Sequence, residues 1–291
     1  MGIREGIVDV TESLLINAME SFDDMCATAC SVLSGTGTGG NMVTSAWTSV
    51  IGLSTNFSTF ANIIAGICIL LELVQVASKV DLIKWEHGLK CGFKMCVARL
   101  CIDTAPTFLR ACYNQAGLFI TAMGGSSPTL ASTVTPLIST ACGEVSTLGE
   151  AIGLLCSTLL LSMGIKICGL LIVVMAYGRA FEILMYVLVS PVPVAFACYN
   201  GGHDGFGRIT TKFVKGFIAV CLSGVMMYGC ITLFGTLLNT SFTALVTASS
   251  GSGATGSAMV SDLCYDMLLF TIVLIMAVTK CGGWAKQLMD A

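Results

Sequence analysis

The chain has 291 residues and a formal net charge of −3. Hydrophobic residues make up 55% of it and charged residues 11%, against roughly 25% charged in an ordinary soluble domain. Those proportions exclude an ordinary soluble globular domain and define a membrane class. No basic, aromatic-interleaved patch marks a direct nucleic-acid interface.

The first residues, MGIREGIVDVTESLL, are acidic and lack a basic region followed by an apolar core. The expectation is that they are not a cleavable signal peptide. Gly6 stands where myristoylation wants Ser or Thr, so no lipid-anchor motif is expected either. Residues 3–22 read as an amphipathic helix, because Ile3, Ile7, Val10, Leu14, Ala18 and Phe22 follow three- and four-residue steps. Glu5, Asp9, Glu12 and Glu20 lie off that stripe. Such a helix either lies on the rest of the protein or meets an interface or a partner. Its acidity argues against adhesion to anionic lipid. The run Ser34–Asn41, SGTGTGGN, reads as a flexible linker, so residues 1–56 form an extracytoplasmic segment ahead of a transmembrane domain over 57–286.

The first span is expected at about 57–78, with Glu72 as its one charge. Ala61 and Ala65 give it a small-xxx-small face that lets another helix approach. Lys79, Lys84, Lys90, Lys94 and Arg99 follow at once, among Asp81 and Glu86. Residues 82–112 are helical in pattern but carry charge on opposite sides, and read as a helix at the membrane surface or buried in the bundle. Arg99 and Asp103 are four apart and are placed to pair. A polar loop is expected from Gly124 to about Thr147.

Residues 151–199 form an apolar stretch whose charges are Lys166, Arg179 and Glu182. A crossing needs about 20 apolar residues, so the stretch reads as two spans, about 151–175 and 180–198, split near Ala176–Arg179. Gly149 and Gly153 give a GxxxG spacing at its entry, and Pro191 and Pro193 end regular helix. If 167–189 is one continuous span instead, Arg179 sits at membrane depth and the count changes. Further spans are expected at 216–238 and 263–279, separated by an uncharged Thr/Ser/Gly loop over 239–261.

The expected fold is therefore all-α: a polytopic transmembrane helical bundle of about five spans with an amphipathic N-terminal helix, six if 82–112 also crosses. Lys and Arg set orientation in short loops. Basic residues follow the first span, occur as Arg208, Lys212 and Lys215 in the 200–215 region, and occur as Lys280 and Lys286 in the tail. Five spans, with the N-terminus outside and the C-terminus in the cytoplasm, place all three regions inside.

The 15 cysteines do not follow metal-ligand spacing. Cys68, Cys156, Cys168, Cys198, Cys221 and Cys230 sit inside apolar segments, where free Cys behaves as a small hydrophobe. Cys26 and Cys30 lie one helical turn apart without a further ligand pair, and Cys91, Cys96 and Cys101 rotate away from one another. The histidines, His87 and His203, lie in charged loops, and Gly201–Gly205 reads as a tight turn. HExxH, Walker A and GxSxG motifs do not occur. No catalytic, cofactor-binding or metal residue is assigned, no cofactor is expected, and an enzyme is not the expectation.

Ionisable groups at membrane depth are costly and mark working surfaces. Glu72 and Lys166 lie well inside apolar runs and are read as bundle-facing, lining a water-filled path or locking helices and protomers together. Arg179 and Glu182, three apart, share a helix face; they pair, mark a turn, or do both. A small-solute or ion transporter is the alternative reading. Transporters carry paired broken helices at matched positions, and Ser190-Pro191-Val192-Pro193 is one break without a matching second.

The segment Ala176-Tyr177-Gly178-Arg179-Ala180-Phe181-Glu182, followed by Ser190-Pro191-Val192-Pro193-Val194-Ala195, resembles the TrbL-like polytopic membrane subunits of type IV secretion and conjugation systems, in the version found in Gram-positive mobile elements. The resemblance runs in layout from about 57 to 286. It implies a non-enzymatic membrane channel or scaffold subunit of a conjugation machine. Such subunits assemble with copies of themselves and with other membrane and ATPase subunits, within phospholipid. They help a relaxase-bound single DNA strand or protein across the cytoplasmic membrane. The positions carried over are Arg179, Glu182, Pro191 and Pro193.

Overall fold

The computed structural model describes residues 3–35, 37–79, 85–123, 131, 135, 148–196, 206–252 and 256–290. Among these no strand occurs, and the chain is an all-helical membrane protein. Its helices are α1 (Ile3–Ser34), α2 (Gly37–Lys79), α3 (Trp85–Ala122), α4 (Leu148–Val189), the short α5 (Pro191–Ala195), α6 (Phe206–Ser252) and α7 (Gly256–Asp290). Among the described residues, four segments are long and apolar enough to cross a membrane: Gly40–Val74, Ala151–Val189, Arg208–Leu238 and Leu268–Met289. The chain is thus a multi-pass membrane protein.

The helices are longer than the sequence pattern suggests, and the reason lies in the polar residues. The expected linker Ser34–Asn41 shrinks to a corner at Gly35, whose φ of 71° lies in the left-handed region open to glycine. Beyond it, α2 begins at Gly37. The Thr44 hydroxyl donates to the Gly40 carbonyl at 2.9 Å, and the Ser45 hydroxyl to that of Asn41 at 3.0 Å. A hydroxyl that bonds back to the preceding turn satisfies itself inside a helix. α6 likewise continues to Ser252 through more than half of the expected 239–261 loop, and at its entry Thr240 donates to the Thr236 carbonyl at 2.9 Å. The charges Arg208, Lys212 and Lys215 lie on the opening turns of α6 rather than in a loop. The Gly124–Thr147 loop, apart from residues 131 and 135, and the Gly201–Gly205 turn fall outside the described residues.

The split expected at Ala176–Arg179 does not exist. α4 runs unbroken from Leu148 to Val189, because Gly178 is the one weak helix former there and the flanking Ala and Arg are strong ones. The break comes at Ser190, where Pro191 and Pro193 remove backbone donors. The Ser190 N–H turns back to the Val187 carbonyl at 3.3 Å, and its hydroxyl donates to the same oxygen at 2.8 Å. At 1.5 Å per residue, α4 is about 63 Å long, about twice a hydrocarbon core of roughly 30 Å. One crossing uses about half of it.

The chain divides into two compact units. The first comprises residues 1–33, 122–177 and 224–281; the second comprises 34–121, 178–223 and 282–291. In the first, α1 buries Leu15, Ala18, Met19, Phe22, Cys26 and Ala29. This face is rotated from the expected one: Val10 is 52% exposed while Thr11 is buried. α1 lies on α4 and α6. Phe22 and Met25 pack over Gly169, and the rings of Phe22 and Phe234 lie 6.0 Å apart. Burial pushes the Cys30 thiol up to about 11 and raises Cys26 further, with Cys30 and Asp23 adding to the effect on Cys26. Both stay protonated and act as packing groups. Cys230 of α6 and Cys281 of α7, not linked by the sequence pattern, bring their sulfurs to 3.5 Å.

In the second unit, α2 and α3 lie side by side in opposite directions. Three contacts fix the register in reverse chain order: Glu72 with Lys94, Ser58 with Asp103 at 2.9 Å, and Trp47 with Tyr113 at 5.5 Å between ring centroids. At the open end, a Cβ on Gly117 would lie 2.6 Å from the Ser34 carbonyl oxygen, so the α3 backbone approaches the α1–α2 corner at a distance no side chain permits.

Candidate functional site

Ala61 and Ala65, one turn apart on α2, are fully or almost fully buried and form one cluster with Ile102 of α3 and Ala195 of α5. Ile64, Val192 and Val194 pack against it. The small-residue face expected on α2 is thus occupied, and its occupants are the proline-broken α5 and the middle of α3. Packing against small side chains lets backbones approach closely, which is how helices associate where lipid removes the hydrophobic driving force. Pro191 is buried and Pro193 half-buried. The Pro193 carbonyl accepts the Thr210 hydroxyl at 2.6 Å, so the first turns of α6 are tied to α5.

Glu72 joins this region through an ion pair with Lys94. The side chains are 15% and 35% exposed respectively. The carboxylate's second oxygen is buried with no hydrogen-bond partner. An ionised carboxylate in an apolar run is tolerable when a cation meets it, and here the cation comes from the neighbouring helix. Lys94 was read from sequence as part of a basic topology signal. The pattern that would have found it is an opposite charge on the next antiparallel helix.

Arg179 and Glu182 pair within α4 at 2.8 Å, as their three-residue spacing allows. The arginine makes a second contact that the sequence did not reveal. Gly282 of α7 lies beneath the guanidinium, and a Cβ there would be 2.1 Å from Nη2. One turn beyond Glu182, Tyr186 packs at a tilt against Phe213 and edge-on against Phe217 of α6, at 5.4 and 6.1 Å between centroids. The Arg-x-x-Glu segment is therefore the place where α4 meets both α6 and α7. The Arg99–Asp103 pair expected within α3 is replaced by Ser58–Asp103, since Asp103 leans toward α2.

Lys166 differs from the expected bundle-facing position. It is exposed on α4, between exposed Met163, Ile167 and Leu170. It also belongs to the first unit, whereas Glu72, Arg179, Glu182, Pro191 and Pro193 all belong to the second. Among the described residues, no three of His, Cys, Asp and Glu come close enough to hold a metal ion.

These features define a polytopic helical membrane protein whose apolar helices are pinned by a few ionised side chains and one proline break. Residues 36–191 match the family described as TrbL/VirB6 plasmid conjugal transfer like protein. That is more than half of the chain, and the chain belongs to this family. The match covers α2, α3 and α4 and ends at Pro191, so Pro193, α6 and α7 lie beyond it. Comparison with curated proteins gives no match, and comparison with solved structures gives none.

Proposed function

We propose that the protein is a non-enzymatic channel or scaffold subunit of a conjugative type IV secretion machine in the cytoplasmic membrane. In this reading it assembles with copies of itself and with other membrane and ATPase subunits. It helps a DNA–protein substrate across the bilayer, touching the single strand and its relaxase indirectly. The observation that carries the reading is the family match over residues 36–191. That segment also contains the ion pairs Glu72–Lys94 and Arg179–Glu182. Charge kept in apolar helices at a cost suits a subunit that must hold helices in fixed register around a hydrated path. The orientation proposed has the N-terminus outside and the C-terminus in the cytoplasm, so that the basic regions face inward.

The test is an in-frame deletion in the host element with conjugation frequency as readout. Transfer falls by orders of magnitude and returns on complementation. Unchanged transfer in the deletion strain rejects the proposal. The transporter reading predicts instead that purified protein in liposomes moves a small solute or ion, and that Glu72→Gln or Lys166→Met alters the flux.

A further inference from the structure

α3 is the one long helix of the second unit that composition does not mark as a span. Its contacts with α2 place it at the same depth nonetheless. The paired positions on α2 run from Trp47 to Glu72, about 38 Å at 1.5 Å per residue, which exceeds a hydrocarbon core of roughly 30 Å. The partners on α3 run from Lys94 to Tyr113, about 29 Å. Wherever α2 crosses, α3 runs alongside it in the opposite direction.

Three faces then divide the circumference of α3. One is buried against the bundle through Ala98, Ile102, Ala105, Leu109, Tyr113 and Ile120. A second is exposed and largely apolar, with Phe93, Val97, Thr104, Phe108 and Gln115, and is the face turned to lipid. The third is polar. Cys96, Arg99, Asp103, Thr107, Arg110 and Asn114 follow three- and four-residue steps, so they form one stripe. All are exposed except Arg110, which is half-buried. Lipid cannot solvate two guanidinium groups and a carboxylate.

Chain topology points the same way. With α4 unbroken, counting only the four apolar segments puts Arg208, Lys212 and Lys215 on the side opposite Lys79, and Lys280 and Lys286 opposite it as well. Counting α3 as a fifth crossing returns all of them to one side, leaving the uncharged 239–261 region on the other.

We infer that α3 is a fifth transmembrane helix, and that its Cys96–Asn114 stripe faces a water-filled path. The stripe carries two cationic groups against one anionic group, a balance suited to a hydrated anionic cargo. The inference rests on the channel reading for what passes along the path, but not for the presence of water there.

The test uses the full-length protein in liposomes and a hydrophilic maleimide, with modification sites resolved by peptide mass spectrometry. The native Cys96 on the stripe is compared with Val97→Cys on the lipid face, and Thr107→Cys with Phe108→Cys. All four positions are exposed, so packing is preserved. Thiols react as thiolates, which need water, and the stripe positions are expected to label about tenfold faster than their lipid-face neighbours. Equal slow labelling of all four overturns the aqueous path. Equal fast labelling overturns the crossing, because water then surrounds the helix. A Thr107→Cys disulfide between two copies, with the maleimide blocked, assigns the stripe to a protomer interface and also overturns the path. A reporter fused after Ala122 gives a second readout: activity outside the cell supports the crossing, and activity in the cytoplasm overturns it. None of these measurements needs the conjugation machine. Loss of the labelling contrast while transfer still depends on the protein rejects the path alone. A transfer-proficient deletion strain with the contrast intact rejects the conjugation role alone.

Discussion

The α2–α3 hairpin and α4 both carry charge inside apolar helices, and they accommodate it differently. In the hairpin two acids are met across helices: Glu72 finds Lys94, and Asp103 finds Ser58, while Arg99 is exposed and Arg110 half-buried on the outward stripe of α3. In α4 it is met locally or left outward: Arg179 pairs with Glu182 three residues on, and Lys166 is exposed. A cross-helix pair fixes the register of two helices. A pair within one turn stabilises its own helix by a few tenths of a kcal/mol and leaves the helix free to meet others through whatever lies beside it. The hairpin is therefore where substitutions should disturb the fold most.

The largest effect is expected at Gly117, where the space is closed by backbone. Gly117→Val forces α3 away from the Ser34 carbonyl and should cost about 3 kcal/mol, the upper part of the overpacking range. The measurement is thermal unfolding of the detergent-solubilised protein. A midpoint unchanged from wild type would mean that the close approach of α3 to the α1–α2 corner is not maintained. Ala65→Leu tests a second contact of α3, at the middle of the helix. It pushes on Ala195 and Ile102 and is expected to cost about 2 kcal/mol.

A somewhat smaller effect is expected at the ion pair. Glu72→Lys places two cations together between α2 and α3 and should destabilise by about 2 kcal/mol. That is less than the 3–5 kcal/mol for breaking a fully buried pair, because Lys94 keeps about a third of its surface. Lys94→Glu alone should behave similarly, and the double exchange should recover most of the loss. The coupling from such a cycle measures the cross-helix term directly. Additive effects in the double variant would show that the pair does not hold the register. Arg179→Ala is expected to cost about 0.5 kcal/mol, the scale of an i,i+3 pair. If it costs as much as Glu72→Lys, the contact with Gly282 outweighs the local pair, and α4 is locked like the hairpin.

The same contrast explains what the sequence could reveal. Ala61 and Ala65 were legible as a contact face because small residues one turn apart in an apolar run have one common purpose. The match between Arg179 and Glu182 was legible because it is local. Lys94 was not paired with Glu72, because twenty-two positions separate them and the nearby lysines offered a cheaper explanation as a topology signal. The division of α4 failed for a related reason. A turn was inferred from charge at Arg179, although Gly178 alone does not end a helix, whereas the proline break at Ser190 was read correctly from the missing donors. The helical Ser/Thr/Gly stretches were missed because propensity is weak evidence where hydroxyls such as those of Thr44, Ser45 and Thr240 bond back to their own helix.

The smallest effect on the fold is expected at Lys166. In an apolar run it was a candidate for a buried lock, which predicts a cost comparable to that at Glu72 when the charge is removed. Exposed between Met163 and Ile167, it has no packing to lose, and a long cationic side chain there extends its stem along apolar surface toward polar surroundings. Lys166→Met should therefore leave the unfolding midpoint unchanged, within about 0.5 kcal/mol of wild type. Met keeps the unbranched stem and removes the charge, so a larger loss would have to come from the ammonium itself. The same scan repeated at several protein concentrations separates the two places such a loss could arise. A concentration-dependent fall would place the ammonium against a second copy of the chain, whereas a concentration-independent one would place it against other groups of its own chain.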